Sequence, residues 1–258
     1  MSAKRLGSDL IAMRIASYNL WDSPSGMPCR QNQILSLLSS LNADIICLQE
    51  DFIGNTLPAH LSGLPFHVQH PDAGLSVVCR YPIKDTVCMP NALMVTISFG
   101  GDTLCLVNLH LPWQSAPSRE NTIIAITDAA SRVHADFTLL AGDFNCSDAS
   151  SVQRYLCGEQ SLFGHDAYFF DLAEAYADMT GIPPSPTLDF RRNPRWGFVD
   201  PPNTLEKTQR FDRILLANPY PTPAPMLTNF GVFGSEISEE TRLAPSDHLG
   251  VYADLDFS

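Results

Sequence analysis

The segment Leu139-Leu140-Ala141-Gly142-Asp143-Phe144-Asn145 predicts a buried strand that ends in a glycine and two polar residues. An apolar run that stops at a glycine is typical of the C-terminal edge of a strand inside a sheet. Open sheets flanked by helices bind their ligands beyond such edges. Side chains two residues apart on an extended chain point the same way, so Asp143 and Asn145 could reach one point. Taken alone, the segment fits a functional site and an ordinary turn about equally, because both residues are common in turns.

Other predicted strands also have a polar residue at one end. These residues are Asn19, Glu50, His110, Asp212 and the pair Asp247-His248. Each has an ordinary structural explanation by itself: an acid can mark a solvated strand end, and a histidine can be a satisfied structural residue. Together with Asp143 they favour a site, because apolar strands gain no packing energy by ending repeatedly in these residue types.

The pattern of apolar residues predicts alternating strands and helices, which is an α/β chain. Helical spacing covers residues 30–41 and 118–133, with Ser118 as a candidate cap of the second helix, and shorter helices are expected over 149–156 and 170–179. A strand closed by an X-Pro turn is predicted over 74–83. Gly100-Gly101-Asp102 predicts a hairpin that joins a strand over 92–99 to a strand over 103–109.

The polar set has the chemistry that metal-assisted phosphodiester hydrolysis requires. A hard divalent cation binds carboxylate oxygens, and Mg²⁺ keeps several of its waters, so few protein ligands are needed. The attacking water needs a carboxylate base. Histidine and asparagine can donate hydrogen bonds to the charge that develops on the phosphoryl group.

These residues resemble the motifs of the endonuclease/exonuclease/phosphatase superfamily, which includes exonuclease III-like repair nucleases, DNase I, neutral sphingomyelinases, inositol polyphosphate 5-phosphatases and 5′-tyrosyl-DNA phosphodiesterase. The matching motifs are SYN (17–19), LQE (48–50), NLHL (108–111), GDFN (142–145), RFDR (210–213) and SDH (246–248). They occur in the family's order and span nearly the whole chain. The resemblance therefore implies one domain over 1–258 with the DNase I-like fold, a four-layer α/β/β/α sandwich of two packed mixed β-sheets.

The resemblance also implies a role for each motif residue. On the metal side, Glu50 resembles the principal Mg²⁺ ligand, with Asn19 and Asp247 beside it, and Mn²⁺ is a second candidate cation. On the catalytic side, Asp143 resembles the residue that orients or deprotonates water. Asn145 and His110 resemble residues that contact the phosphate. His248 resembles the histidine that stabilises the transition state, and Asp212 resembles the acid that orients this histidine.

Two features bear on the branch of the superfamily. The motif RFDR followed by SDH, with Thr187-Leu188-Asp189 upstream, looks most like 5′-tyrosyl-DNA phosphodiesterase, although that branch tends to have tryptophan where Leu188 stands. Several family members have an acid two residues after the first-motif asparagine, whereas this chain has Trp21. The contribution of that position to metal binding is therefore an open question.

The irregular segment 181–208 is rich in proline and arginine, and its length is typical of a functional loop. Arg191, Arg192 and Trp196 are candidates for holding phosphates and stacking on bases, as single-strand binders do. The alternative is that the arginines are solvated and that Trp196 covers a minor core.

Composition limits the partners. The 258-residue chain has a formal net charge of −12, which argues against broad affinity for nucleic acid, although a bound cation can reverse the charge locally. The seven cysteines have no zinc-finger spacing and do not predict a disulfide framework. The N-terminus does not resemble a secretory signal, and no apolar run approaches a membrane span, so we expect a cytoplasmic protein without stable membrane insertion. Nothing in the sequence indicates a protein partner.

The leading expectation is thus a Mg²⁺-dependent phosphodiester hydrolase, a nuclease or tyrosyl-DNA phosphodiesterase-like enzyme. Its partner would be a phosphodiester substrate at a nucleic-acid end or in a nucleotide. The alternative is a sphingomyelinase- or inositol-phosphatase-like phosphoesterase. A third hypothesis, an inactive binding module, predicts the loss of Glu50, Asp143 or His248, and none of the three is lost.

Overall fold

A computed structural model of the chain describes residues 12–52, 61, 63–195, 205 and 207–258. Four α-helices lie in these ranges: α1 (Cys29–Ser40), α2 (Ala116–Ala130), α3 (Ser151–Leu156) and α4 (Leu172–Thr180). The strands are β1 (Ala12–Asn19), β2 (Ile45–Gln49), β3 (Phe66–His70), β4 (Leu75–Cys79), β5 (Ile83–Met89), β6 (Ala92–Phe99), β7 (Asp102–His110), β8 (Phe137–Asp143), β9 (Phe169–Asp171), β10 (Asp212–Ala217), β11 (Met226–Phe233) and β12 (Gly250–Asp256). None of the helices described is long and apolar enough to cross a membrane.

The strands form two sheets of six. The first has the order β11-β12-β1-β2-β4-β3, and the second has the order β5-β6-β7-β8-β10-β9. The pairs β1–β2 and β7–β8 are parallel and the remaining neighbours are antiparallel, so both sheets are mixed.

Side chains along each strand alternate between the two faces of its sheet, so the two sheets pack against each other on one face and against helices on the other. Ile15 and Val77 of the first sheet and Leu139 of the second belong to one buried apolar cluster between the sheets. Neighbouring residues on the same strands face outward, because successive side chains of a strand point to opposite faces. Leu140 lies in a cluster with α2 and α3, and Ala16 lies in a cluster with α1. The predicted α/β/β/α sandwich of two mixed sheets is therefore confirmed.

The parallel pairs explain why the polar strand ends meet. Strands β1 and β2 run together, so Asn19 and the residue after Gln49 reach the same edge of the first sheet. In the second sheet His110 is in register with Asp143. Strand β10 runs the other way and begins with Asp212 directly opposite Asp143.

Several predicted boundaries were wrong. Helix α2 is capped by Ser115, whose Oγ accepts the Ser118 N–H at 3.3 Å, and Pro117 in the first turn favours this earlier start. The X-Pro turn predicted at the end of the strand over 74–83 is confirmed, although β4 ends earlier, at Cys79, and Ile83 already belongs to β5 in the other sheet. The segment predicted as a helix from 170 begins with β9 instead, and Asp171 caps α4.

Candidate active site

The side chain of Asn19 joins carboxylates that come from the two sheets. Its Nδ2 lies 3.1 Å from Glu50 Oε1 and 3.1 Å from Asp143 Oδ2. Asn19 and Asp143 are buried, at 0% and 1% relative exposure, whereas Glu50 is partly accessible. One amide with two N–H donors therefore fixes the spacing of two acids that would otherwise repel each other.

The backbone around Glu50 holds that carboxylate in place. Glu50 has a left-handed conformation, with φ of 55°, and Asp22 N–H donates to its Oε2 at 2.7 Å. Trp21 is also left-handed, with φ of 57°, and its N–H donates to Asn19 Oδ1 at 2.9 Å. Left-handed backbone at residues other than glycine costs about 1 kcal/mol or more and persists only where the surroundings enforce it. The turn after β1 thus supports Glu50 through backbone contacts.

Gly142 allows the close approach of β7 and β8 that brings His110 to Asp143. Its φ is 147°, and a Cβ atom there would lie 1.9 Å from the carbonyl oxygen of Leu109. His110 Nε2 lies 3.5 Å from Asp143 Oδ2 and 3.9 Å from Glu50 Oε1. A substituent at Gly142 would therefore push apart the strands that carry these groups.

Asn145 joins the segment that follows β8 to the segment that follows β7. Its N–H donates to Asp143 Oδ1 at 2.8 Å, and its Nδ2 donates to Leu111 O at 2.9 Å. Because a carboxamide nitrogen carries two hydrogens, the second is available for a ligand.

His248 and Asp212 form a buried pair. His248 Nδ1 lies 2.9 Å from Asp212 Oδ2, and His248 Nε2 lies 3.9 Å from Asp143 Oδ2. Burial alone would lower the pKa of His248, but the carboxylates of Asp212 and Asp143 raise it well above its usual value. The imidazole is therefore held with a proton on Nδ1 toward Asp212 and with Nε2 directed to the Asp143 side.

Thr187 fixes the position of this pair, a role that sequence reasoning did not assign. Its Oγ1 accepts the N–H groups of Phe211 and Asp212 at 3.0 and 3.1 Å, and its carbonyl accepts Leu249 N–H at 2.7 Å. The sequence signal for this role is the segment Thr187-Leu188-Asp189, which resembles the corresponding segment of 5′-tyrosyl-DNA phosphodiesterase.

Asp247 adds a third carboxylate to the Glu50 side. Burial raises its pKa to about 6; His248 opposes the shift, while Glu50 and Asp143 add to it. Ser246 attaches this loop to the first sheet, since its Oγ donates to Asn19 O at 2.7 Å. The carboxylates of Glu50, Asp143 and Asp247 offer hard oxygen atoms, which suit a bound cation such as Mg²⁺ or Mn²⁺.

Among the described residues, one group has ligand atoms close enough together to hold a metal ion. Ligand atoms of Asp143, Asp212 and His248 all lie within 4.8 Å of one another. However, His248 and Asp212 are already hydrogen-bonded to each other. The Glu50 side is therefore the better candidate for the cation.

A buried polar bridge joins the sheets beneath the site. Gln49 Nε2 donates to Ser17 Oγ at 3.1 Å and to Asn108 Oδ1 at 2.7 Å. Asn108 Nδ2 donates to the carbonyls of Leu48 and Ser76, both at 2.8 Å. The motifs LQE and NLHL contain Gln49 and Asn108, but sequence reasoning gave neither a role.

Two buried arginines flank Asp212 on β10. Arg210 contacts both oxygens of Asp171 at 2.8 Å and Asp148 at 2.7 Å. Arg213 contacts the same Asp148 at 3.0 Å. This ion network holds β10 against the loop after β8 and so supports the position of Asp212.

The predicted substrate-binding arginines belong to a segment that Asn193 attaches to the SDH loop. Arg191 and Arg192 are exposed, and Asp189 Oδ1 accepts both of their backbone N–H groups at 3.0 Å. Arg192 belongs to the wall of a cavity of about 210 Å³ that Asn193 and Leu249 also line. Trp196, the third residue of that prediction, lies outside the described residues.

The chain is similar to a known protein family and to several solved structures. The model of the Endonuclease/Exonuclease/phosphatase family matches residues 16–248. Comparison with curated proteins found no significant sequence match.

Solved structures with the same fold include TDP2 from Caenorhabditis elegans, with 20% identity, a TM-score of 0.75 and coverage of 99% of this chain and 77% of that chain. D. rerio TDP2 complexed with single strand DNA product has 18% identity, a TM-score of 0.70 and coverage of 95% and 98%. An endonuclease/exonuclease/phosphatase from Bacteroides vulgatus has 16% identity, a TM-score of 0.68 and coverage of 96% and 100%. These likenesses show a shared fold.

Proposed function

Since the chain belongs to the endonuclease/exonuclease/phosphatase family, whose members are hydrolases acting on phosphoester bonds, we propose that it is a Mg²⁺-dependent phosphodiesterase that acts on nucleic-acid ends or nucleotide-like phosphodiesters. The observation that carries this proposal is the Asn19 side chain, which holds Glu50 and Asp143 together beside the His248–Asp212 pair. This arrangement supports the proposal, because hydrolysis of a phosphodiester requires a carboxylate base and a hydrogen-bond donor around one point, and Asp143 and His248 could fill these roles.

The metal would be held by Glu50 and Asp247, with Asn19 close by. When bound, it supplies positive charge that polarises the phosphoryl oxygens and offsets the crowding of the carboxylates. Mn²⁺ prefers the same oxygen ligands and is the second candidate.

The chain's own residues then have distinct tasks. Asp143 accepts a proton from the water whose oxygen attacks phosphorus, while the bond between phosphorus and the leaving oxygen breaks. His248 donates a hydrogen bond through Nε2 to the phosphoryl oxygens, because Asp212 holds its other ring nitrogen. Asn145 and His110 are placed to contact the same phosphate from the second sheet.

A nucleic-acid substrate is supported by two observations. D. rerio TDP2, which shares the fold, has been solved with a single strand DNA product. In this chain of net charge −12, Arg191 and Arg192 form an exposed basic pair beside the SDH loop, and Asn193 Nδ2 donates to Ser246 O at 2.9 Å. Local cations of this kind can attract phosphates that the protein as a whole would repel.

We also propose that the protein works in a reducing compartment such as the cytoplasm. All seven cysteines are free thiols, and Cys47, Cys79 and Cys105 are buried in the core. Thiols of this kind are typical of intracellular proteins.

The test is turnover by the purified full chain with Mg²⁺, with Mn²⁺ and with chelator. A 5′-tyrosyl oligonucleotide, an abasic duplex and sphingomyelin would be compared at equal concentration. We expect metal-dependent cleavage of a nucleic-acid substrate and its loss in Asp143→Asn. Preference for sphingomyelin would favour the phospholipase-type alternative, and no turnover with any substrate or metal would favour an inactive binding module.

A further inference from the structure

Two exposed aromatic side chains lie at the edge of the sandwich that carries the proposed site. Within the described residues, the exposed aromatic side chains are Phe52, Phe66, Trp113, Phe163, Tyr168 and Tyr220. Phe52 follows Glu50 by two residues, and Trp113 follows His110 by three. By contrast, Tyr220 follows Ala217, which is the end of β10 remote from Asp212.

The ring of Phe52 is fixed on one side and open on the other. Its backbone N–H donates to Glu50 O at 2.9 Å, which ties it to the proposed metal ligand. Gly74 lies beneath the ring, since a Cβ atom added there would be 2.5 Å from two ring carbons. Phe52 remains 50% exposed. One face of its ring therefore packs on Gly74, and the rest is accessible to a ligand.

Trp113 has a fixed backbone and a freely accessible indole. Arg119 Nη1 donates to the carbonyls of Pro112 and Trp113 at 3.2 and 2.9 Å, and Asn145 Nδ2 holds Leu111 O. The residue is 69% exposed, and in the described part of the chain its indole has no ring or cation stacked on it. Three residues span at most about 10 Å, so the Cα atom of Trp113 lies within about that distance of the Cα atom of His110.

We propose that Trp113 and Phe52 are stacking surfaces for unpaired nucleobases next to the phosphodiester, so that the preferred substrate is single-stranded nucleic acid or a frayed end. This inference rests on the proposed function. Every base has a π-face that can stack on an aromatic ring, and in a duplex those faces are occupied by neighbouring bases. A quaternary ammonium headgroup is instead bound by a cage of several rings. The single ring of Trp113 fits a base better.

The inference can be tested with two ligands that differ only in their bases. One is a short oligothymidylate, and the other is a backbone of the same length made of abasic residues. Binding would be measured by fluorescence anisotropy of end-labelled ligand in an Asp143→Asn background, and kcat and KM would be measured in the active protein. The variants are Trp113→Ala, Trp113→Phe, Phe52→Leu and, as a control with a remote exposed ring, Tyr220→Ala.

We expect Trp113→Ala to raise the Kd and KM for oligothymidylate about tenfold, the loss typical of one stacked base, and to leave the abasic ligand unchanged. Trp113→Phe should retain most of the affinity, Phe52→Leu should lose part of it, and Tyr220→Ala should match the wild type. Equal losses on both ligands, or no loss on either, would overturn the inference. So would a larger loss on sphingomyelin micelles than on oligothymidylate.

The two proposals can fail separately. If the wild type binds oligothymidylate through Trp113 but cleaves no phosphodiester, the stacking surface stands and the proposed hydrolase falls. If nucleic acid is cleaved normally and Trp113→Ala has no base-dependent effect, the hydrolase stands and the stacking surface falls.

Discussion

Gln49 of the first sheet donates a 2.7 Å hydrogen bond to Asn108 of the second, and both side chains are completely buried. The residue after Gln49 is Glu50, and two residues after Asn108 is His110. The distance between the two halves of the proposed site is therefore set by a polar contact directly beneath it, at the edge of the apolar cluster between the sheets. A buried polar contact has a defined geometry, which apolar packing alone does not impose.

Replacement of Asn108 by leucine should damage both stability and metal binding. It would leave Gln49 Nε2 and the carbonyls of Leu48 and Ser76 short of a buried partner, at about 1–3 kcal/mol for each group. We expect a loss of several kcal/mol in urea unfolding and a weaker Mg²⁺ affinity by titration calorimetry. Asn32→Leu, on the exposed face of α1, is the control and should change neither. Wild-type stability in Asn108→Leu would contradict the role of the bridge.

Removal of the Thr187 hydroxyl should lower kcat with little change in KM. In Thr187→Val the N–H groups of Phe211 and Asp212 lose their acceptor, so the carboxylate that orients His248 is no longer fixed. We expect kcat to fall about 10- to 100-fold, which is less than the loss expected when a general acid or base itself is removed. Thr187→Ser keeps the oxygen and should restore most of the rate. The idea fails if valine and serine behave alike.

Asp247 should make the metal-free protein less stable as pH rises. Its pKa is raised from 3.8 to about 6, so the folded state holds the proton more tightly than the unfolded state. The associated stability is present below pH 4 and is lost as pH rises through about 6, by up to about 3 kcal/mol. Asp247→Asn should therefore stabilise the chelated protein at pH 7 and weaken its Mg²⁺ affinity. Thermal unfolding with chelator measures this, with exposed Asp72→Asn as control.

Glu50 and Asp143 should respond differently to added metal. If Glu50 is mainly a ligand, the activity lost in Glu50→Ala should recover in part as Mg²⁺ is raised, because the affinity and not the base is impaired. Asp143→Asn should lose about 10²–10⁴-fold in kcat at every Mg²⁺ concentration. Initial rates over a Mg²⁺ series decide between these roles. Complete indifference of Glu50→Ala to metal would count against ligation.

Gly142→Ala should be among the most destabilising single substitutions in the chain. The added methyl group would collide with the Leu109 carbonyl, which is backbone and cannot rotate away. Gly101→Ala is the matched control, since it also has a positive φ but nothing lies within 4 Å of its Cβ position. We expect a loss of about 1 kcal/mol for Gly101→Ala from backbone strain alone, and several times more for Gly142→Ala. Chemical denaturation would compare the two.

The apolar pattern of the sequence predicted an α/β chain, and its ordered motifs implied the layered fold through their resemblance to the family. Asn19, Glu50, Asp143 and His248 could be named as candidate site residues because apolar strands gain no packing energy by ending in such residue types. The X-Pro turn after β4 was also predicted from the sequence. The placement of β4 and β5 in different sheets was not, since the local apolar pattern does not reveal which sheet a strand will join.

The contacts that hold these residues in place are visible only in the folded protein. Gln49 and Asn108 are 59 positions apart, and Thr187 supports Asp212 from a different segment, so no local pattern could have linked them. The exposure of Trp113 and Phe52 is likewise a property of the folded surface. The physical reason is that strand propensity and side-chain chemistry depend on the local sequence. Hydrogen-bond partners and burial depend instead on which distant segments the packed sheets bring together.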